Sequence, residues 1–230
     1  MIQGDNLSRI LQNQLRSPVS GILSLAQLIL LEGGANPDLR DYAQSIYDRG
    51  QRMLTVMDNL ADLDRIERGT FTLHREPLVL NTLVEQVQHD YDRTLKLKGL
   101  TAQVRVQGLP WGAAPLLTFW GRENLLWGIL ENAFRNALEA APSGTTVELR
   151  ADLSGEFLIL EVDNAGEVPF ELRDRFFEPF HTSKPDGVGM GTYVVRTFAR
   201  ALEGDASMTT GQGRTSVRIT LPQREGELAV

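Results

Sequence analysis

Two stripes of apolar residues near the start of the chain most restrict what it can become. Over residues 7–31, Leu11, Leu15, Ile22, Leu25 and Ile29 recur at steps of three or four, with Pro18 filling the step between Leu15 and Ile22. That is the pattern of an amphipathic helix with one face to bury, and Pro18 is expected to kink it. Gly33 and Gly34 end this helix. Asn36-Pro37-Asp38 then starts another, with a capping side chain, a proline at the first helical position and an early acid. A second stripe, Leu39, Tyr42, Ile46, Met53, Met57, Leu60 and Leu63, runs without a strong breaker to Gly69. Two such helices form a hairpin with an apolar seam on each. Burying both seams requires more surface than the hairpin itself offers, so a homodimer with a four-helix bundle is expected.

After Gly69 the texture changes. Helical patterns span residues 80–97 and 122–141, and strand patterns span 101–106, 116–120, 146–152 and 156–163, with a turn at Ser154-Gly155. Residues 164–189 are rich in proline, glycine and charge and read as irregular, before a helix at 191–202 and a last strand at 215–221. The expected organisation is a helical hairpin at 1–69, a linker at 70–79, a mixed α+β layer domain at 80–222 and a loose tail at 223–230.

Composition excludes several function classes. The 230 residues carry 30 acidic against 23 basic side chains, a net charge of -7, which is the wrong sign for a protein that grips phosphate backbones broadly. No nucleic-acid partner is expected. The most apolar run, residues 22–31, is interrupted by Ser24 and Gln27 and falls short of the ~20 residues that cross a bilayer, so no membrane partner is expected within this chain. The first residues lack the basic start and apolar core of a secretory signal, giving a cytoplasmic expectation. With no cysteine, thiolate chemistry is absent, and His74, His89 and His181 are the whole stock of imidazole.

Four segments carry candidate chemistry. Asn132 and Asn136 lie four apart on one face of the 122–141 helix, an unusual use of a poor helix former, and an amide oxygen is a hard donor suited to Mg²⁺. Asp163 closes an alternating strand and is followed by Asn164-Ala165-Gly166. There it is placed either to accept a hydrogen bond from a ligand amine or simply to make the turn. Gly187, Gly189 and Gly191 stand at alternate positions directly before a helix, where bare backbone N–H groups can approach phosphate.

In order along the chain, the Asn-x-x-x-Asn-Ala-x-Glu-Ala helix, the strand-ending Asp163-Asn164, the segment Phe177-Glu178-Pro179-Phe180-His181-Thr182-Ser183-Lys184 and the Gly187–Thr192 loop resemble the N, G1, F and G2 boxes of histidine-kinase ATPase domains. Arg16-Ser17-Pro18 and the hairpin around it are similar to the dimerisation and phosphotransfer domain of sensor histidine kinases. The resemblance covers nearly all of residues 7–222. It implies a dimeric helical bundle followed by an α/β-sandwich ATPase domain that binds ATP with Mg²⁺. By that resemblance Asn136 coordinates the metal, Asn132 supports the phosphates and Asp163 binds adenine. Gly166, Gly187, Gly189, Gly191 and Thr192 line the nucleotide, Thr182 and Lys184 belong to a mobile lid, and Thr215 follows the glycine-rich turn into the last strand.

The chain also departs from the family. The acceptor motif, approximately His-Glu-Leu-Arg-Thr-Pro in the family, reads Asn13-Gln14-Leu15-Arg16-Ser17-Pro18. Asn13 stands where the phosphoacceptor histidine belongs, and an amide nitrogen, its lone pair delocalised, is no nucleophile at neutral pH. Gln14 replaces the adjacent acid and cannot ionise. None of the three histidines lies in the first-helix setting that the reaction uses. In the G1 box, Asp-x-Gly-x-Gly becomes Asp163-Asn164-Ala165-Gly166-Glu167, adding a methyl at Ala165 and a carboxylate at Glu167, with Gly166 able to supply backbone freedom one position away.

The functional expectation is a histidine-kinase-like two-component signalling protein, a pseudokinase with weak or lost ATP use, that binds a response regulator receiver domain or a partner kinase. The alternative is an active ATP-dependent kinase or phosphatase, either phosphorylating a histidine in trans or carrying Asn13 as an introduced substitution. A serine kinase of the anti-sigma type is disfavoured, because it lacks the long hairpin. Nothing before Asn6 reads as a sensory segment, so input is expected from a partner, from a removed upstream region, or not at all.

Overall fold

The computed structural model describes residues 4–32, 37–183 and 189–225. The chain divides into two compact units, Met1–Phe71 and Thr72–Val230, each described by itself.

The first unit is a hairpin of α1 (Gly4–Glu32) and α2 (Pro37–Glu67). Pro18 sits inside α1, and Pro37 opens α2 as its fixed φ favours. Gly69, at φ +65, closes the unit. The residues that lock the two helices together coincide with the stripes read from the sequence only at Met57 and Leu63. Val19, Leu23 and Ala26 on α1 and Ala43, Met57 and Leu63 on α2 are buried. Gly50 makes the approach possible, since a Cβ there would lie 2.7 Å from a Leu23 methyl. The expected stripe residues Leu15, Ile22, Leu25, Leu39, Tyr42, Ile46, Met53 and Leu60 stay exposed. A second apolar seam therefore remains open on the hairpin. Asp62 is only 5% exposed, with Arg65 at 3.7 Å.

The second unit is a six-stranded sheet with helices on one face. Its elements are β1 (Glu76–Val79), α3 (Leu80–Lys98), β2 (Thr101–Val106), β3 (Leu109–Pro110), β4 (Thr118–Gly121), α4 (Glu123–Ala140), β5 (Thr146–Ser154), β6 (Phe157–Ala165), α5 (Phe170–Arg173), α6 (Gly191–Ala201), β7 (Asp205–Gly211) and β8 (Arg214–Pro222). The strand order is β3-β2-β5-β6-β8-β7, with β2 and β5 parallel and the other pairs antiparallel, and β1 pairs with β4 in a separate two-stranded ribbon. β1 falls where a linker is expected, and β3, β7 and α5 have no counterpart in the sequence reading.

Strand alternation gives the sheet two unlike faces. Leu158, Leu160 and Val162 of β6 and Val217, Ile219 and Leu221 of β8 are buried under α3, α4 and α6, whose own core residues include Val84, Leu126, Phe134, Val195 and Phe198. The opposite face carries a charged ladder. Arg105 meets Glu148 at 3.1 Å, Arg150 meets Glu161 at 2.8 Å, and the Ser216 hydroxyl donates to Glu161 at 2.8 Å.

Two devices hold the helices at their ends. Lys98 donates to the carbonyls of Leu138 and Glu139 at 2.6 and 3.1 Å, placing a cation on the C-terminal end of α4. Asp205, at the start of β7, accepts from Arg196 at 3.0 and 3.2 Å and from Arg200 at 3.1 Å. The Arg196 hydrogen bond, with the other groups around it, lowers the Asp205 pKa to about 2. A lowered folded-state pKa contributes stability above the unfolded value, near ~3.9 for aspartate, and that stability is lost as pH falls toward the folded value. Thermal unfolding followed between pH 5 and about 2 is therefore expected to fall less steeply for Asp205→Asn than for the parent. Parallel curves would refute a role for this cluster in acid stability.

Candidate functional site

The site is assembled where the start of α6 meets the middle of α4. Asn132 is 3% exposed. Its Nδ2 donates to the Gly128 carbonyl at 2.8 Å and its Oδ1 accepts from Arg135 at 2.5 Å. Arg135 is in turn held by Glu131 at 3.0 Å, and Glu131 accepts from the Tyr91 hydroxyl at 2.6 Å. Burial works against the Arg135 charge, but Glu131, Tyr91 and Glu139 outweigh it and raise its pKa. Asn132 is thus a braced side chain whose polar atoms are occupied.

Asn136 differs. Its Nδ2 is buried with no hydrogen-bond partner. An unpaired amide in a folded interior costs about 1–3 kcal/mol, and a water, an ion or a ligand acceptor can complete it. Gly191, the first residue of α6, lies directly against it. A Cβ at Gly191 would stand 2.9 Å from Asn136 Nδ2, 3.2 Å from its Oδ1 and 3.3 Å from Asn132 Oδ1. The N-terminal end of an eleven-residue helix, with its unpaired N–H groups, is thereby brought onto the two amides. Gly191→Ala is expected to displace Asn136 and weaken nucleotide binding roughly tenfold, at the overpacking cost of about 1–3 kcal/mol. Fluorescence titration checks this, and unchanged affinity would show that the close approach has no bearing on binding.

The flanking loop is pinned by backbone. Gly189 has φ +72, and a Cβ on it would lie 2.7 Å from His181 N and from the Phe180 carbonyl carbon. The Phe180 N–H donates to the Gly189 carbonyl at 2.9 Å, and Phe180 itself takes φ +63. The Thr192 hydroxyl is committed to the Phe176 carbonyl at 2.5 Å, so Thr192 ties the F segment to α6. Thr182 adjoins the pinned segment. Lys184 and Gly187 lie outside the described residues. Asn13 and Gln14 fall within α1, and their side chains also lie outside the described residues.

The two strand-end residues lie on opposite faces of the sheet. Asp163 pairs in register with Glu148 on β5 and Ser216 on β8, which puts it on the ladder face, where it forms an ion pair with Arg214. The amides of α4 serve the other face. The neighbouring Asn164, 4% exposed, is the strand-end polar side chain that points under the helices, directly opposite Thr215, 6% exposed. The physical reason is the two-residue period of a strand: a shift of one position exchanges faces. That signal was present in the sequence, in the alternation of Leu158, Leu160 and Val162, whose next member is Asn164.

The G1 loop departures also find a structural account. Gly166 takes φ +105, its N–H donates to the Gly213 carbonyl at 2.7 Å, and its carbonyl accepts from Thr215 at 2.8 Å. Glu167 is held by Arg173 at 3.0 Å and by the Gly213 N–H at 2.7 Å. Its carboxylate thus fastens the loop to the β7–β8 turn. Among the described residues no cluster of three histidine or acidic side chains is arranged to hold a metal. The unpartnered Asn136 Nδ2 is a donor suited to a phosphate oxygen, and Oδ1 of the same amide is the atom that would hold a metal arriving with that phosphate.

A sheet covered on one face by helices, with an asparagine pair on one helix and a glycine-pinned loop entering the next, defines the ATPase class shared by histidine kinases and their relatives. The family profile described as "Histidine kinase-, DNA gyrase B-, and HSP90-like ATPase" matches residues 121–225, and that of the "His Kinase A (phospho-acceptor) domain" matches residues 5–69. This chain belongs to the sensor histidine kinase family. It is 27% identical over 232 residues to the autoinducer 2 sensor kinase/phosphatase LuxQ of Vibrio parahaemolyticus, covering 94% of this chain and 26% of that protein. The chain spans about a quarter of the length of the curated relatives it first matches. Among solved structures, the histidine kinase AdeS of Acinetobacter baumannii superposes with a TM-score of 0.62 at 17% identity, over 92% of this chain and 98% of that one. Full-length ShkA, solved in complex with AMPPNP, gives 0.65 at 23% identity, over 97% and 47%. At these identities the structures speak for the fold. Among the described residues no helix is long and apolar enough to cross a membrane.

Proposed function

We propose that this chain is a degenerate histidine-kinase signalling protein. It dimerises through its hairpin, binds Mg²⁺ and ATP at the junction of α4 and α6, and passes signals by docking a response regulator receiver domain or a partner kinase rather than by phosphorylating itself. The observation that carries the nucleotide part is Asn136, a buried amide nitrogen without a partner, facing the start of a helix at a glycine that leaves it room. Support for the dimer is the open seam of the hairpin, with Leu25 63% and Tyr42 68% exposed. Such side chains are the surface that a second copy covers most economically.

The division of labour follows from the side chains. Asn136 holds the metal-bound phosphates, Asn132 and Arg135 keep its stretch of α4 rigid, and the first N–H groups of α6 face the phosphate charge. The metal, when bound, neutralises phosphate charge. Position 13 offers no lone pair to attack phosphorus, so the established family chemistry stops there in this chain. Cytoplasmic operation is part of the same reading.

One observation favours the second reading, a kinase or phosphatase acting in trans: the cradle around Asn136 and Gly191 is intact although position 13 is not. Radiolabelled ATP distinguishes the two. Purified protein alone is expected to gain no acid-labile phosphate and to pass none to a histidine-bearing partner. Label on a partner's histidine would establish the trans reading, and label on this chain would overturn both. Calorimetry with Mg-ATP tests the shared premise, because absence of heat at millimolar nucleotide would leave only a docking protein.

A further inference from the structure

The packed side of α4 is apolar: Leu126, Ile129, Leu130, Phe134, Ala137 and Leu138 are all buried. One carboxylate interrupts that set. Glu131 is 8% exposed, taken out of water at a position where an apolar side chain would cost less. Its partners explain how it is tolerated. The Tyr91 hydroxyl of α3 donates to Glu131 Oε1 at 2.6 Å, and Arg135 Nε donates to the same oxygen at 3.0 Å. Tyr91 is itself buried and meets the Phe134 ring edge-on, with centroids 5.9 Å apart, so packing fixes the place of its hydroxyl.

This chain of contacts ends at the site. Arg135 Nη2 donates to Asn132 Oδ1 at 2.5 Å while Asn132 Nδ2 donates to the Gly128 carbonyl at 2.8 Å, so the Asn132 amide is held in one orientation. That same Oδ1 lies 3.3 Å from where a Gly191 Cβ would stand, beside the Asn136 amide whose Nδ2 has no partner. It is the atom common to the network and to the site. We infer that Tyr91 and Glu131 are positioning residues for the metal-bound phosphates, acting through Arg135 and Asn132 on the place that Asn136 takes beside the first residue of α6. The inference rests on the nucleotide reading proposed above and adds two residues, one of them on a different helix, that set how well the metal is held.

Stability alone does not ask for this arrangement. Breaking a buried ion pair is costly, but an apolar pair filling the same space is often neutral or better, so the charges point to a use beyond holding α3 on α4. What they supply is direction. The guanidinium is a rigid planar fork. Its Nε is on Glu131 at 3.0 Å, its Nη1 faces Glu139 at 3.6 Å, and its Nη2 is thereby aimed at Asn132. Without Glu131 the fork loses its anchor, and Asn132 its fixed oxygen. The Tyr91 hydroxyl acts one step further back, by fixing the carboxylate that anchors the fork.

The test is the gain in ATP affinity that Mg²⁺ confers on the whole chain. It is read by displacement of trinitrophenyl-ATP, as the ratio of apparent dissociation constants in EDTA and in excess Mg²⁺. Glu131→Gln is expected to remove most of that gain, a fall of about tenfold, the lower end of what loss of an orienting partner costs a metal site. Tyr91→Phe, which keeps the ring on Phe134, should lower the ratio about threefold, and the double variant should match Glu131→Gln alone, because both act along one chain of contacts. Lys98→Met is the control. It removes the cation from the end of α4 without reaching Asn132, so it is expected to lower stability and keep the parent's ratio. A ratio unchanged in both Tyr91→Phe and Glu131→Gln overturns the inference. So does an equal fall in Lys98→Met, which would make the effect one of helix stability, or a double variant that falls by the product of the single effects. A parent whose affinity does not rise with Mg²⁺ overturns it too, while leaving nucleotide binding in place. Failure of the parent to bind the probe refutes the nucleotide reading itself, and the inference with it.

Discussion

Placing histidine at position 13 is expected to convert a chain that takes no phosphate on α1 into one that does. Asn13→His supplies an imidazole lone pair where the amide has none, on a helix matched by the phospho-acceptor family profile. The single variant should label slowly, because Gln14 cannot take up the proton that an acid at that position would help to manage. General acid–base assistance contributes about 10²–10⁴ in rate, so Asn13→His combined with Gln14→Glu should label roughly 100-fold faster than Asn13→His alone. The label should be acid-labile and base-stable, as a phosphoramidate is. If both variants remain silent while nucleotide still titrates, competence was lost beyond the acceptor. The altered G1 loop at Ala165 and Glu167 then becomes the place to look.

The second large effect concerns assembly. Ile22 and Leu25 are 50% and 63% exposed on the hairpin, so Ile22→Glu with Leu25→Glu should leave the fold of one chain nearly untouched and abolish its pairing. Each such side chain contributes about 1.5–3 kcal/mol when buried. The two changes occur in both protomers, so the loss is about 6 kcal/mol or more before any cost of burying carboxylates. That moves a micromolar dimer past millimolar. Light scattering should report a monomer with unchanged helical circular dichroism. A variant that stays dimeric would place the interface elsewhere, and one that loses its helices would show that the seam already serves the single chain.

The hairpin shows how much a pattern reveals and where it stops. Spacing disclosed both helices nearly to their ends, because 3.6-residue periodicity and the Pro37 start are local properties. Spacing did not disclose which apolar residues pair within the chain. Val19, Leu23 and Ala26 face α2, while Ile22 and Leu25 remain open, because Gly50 leaves room on α2 for Leu23 and spacing alone does not reveal that opening. In the second unit, the long strands and helices were legible for the same local reason. β1, β3 and β7 were missed because they are edge or ribbon strands with weak alternation.

At the site, Asn132, Asn136 and the glycines before α6 were singled out by their order along the chain together with Asp163 and the F segment, since neither an asparagine pair nor a glycine-rich loop is specific by itself. The family, the covered sheet and the missing nucleophile at position 13 all follow from the order of residues along the chain. The roles within each pair were decided by folding. Asn132 became a brace and Asn136 an unpartnered amide because Arg135 reaches only the first. Glu167 became a fastener because Arg173 and the Gly213 N–H, distant in one case by dozens of residues, converge on it. Asp163 and Asn164, adjacent in the chain, were sent to opposite faces by strand register. A motif records which residue types are present, and the pleat determines which face each of them occupies.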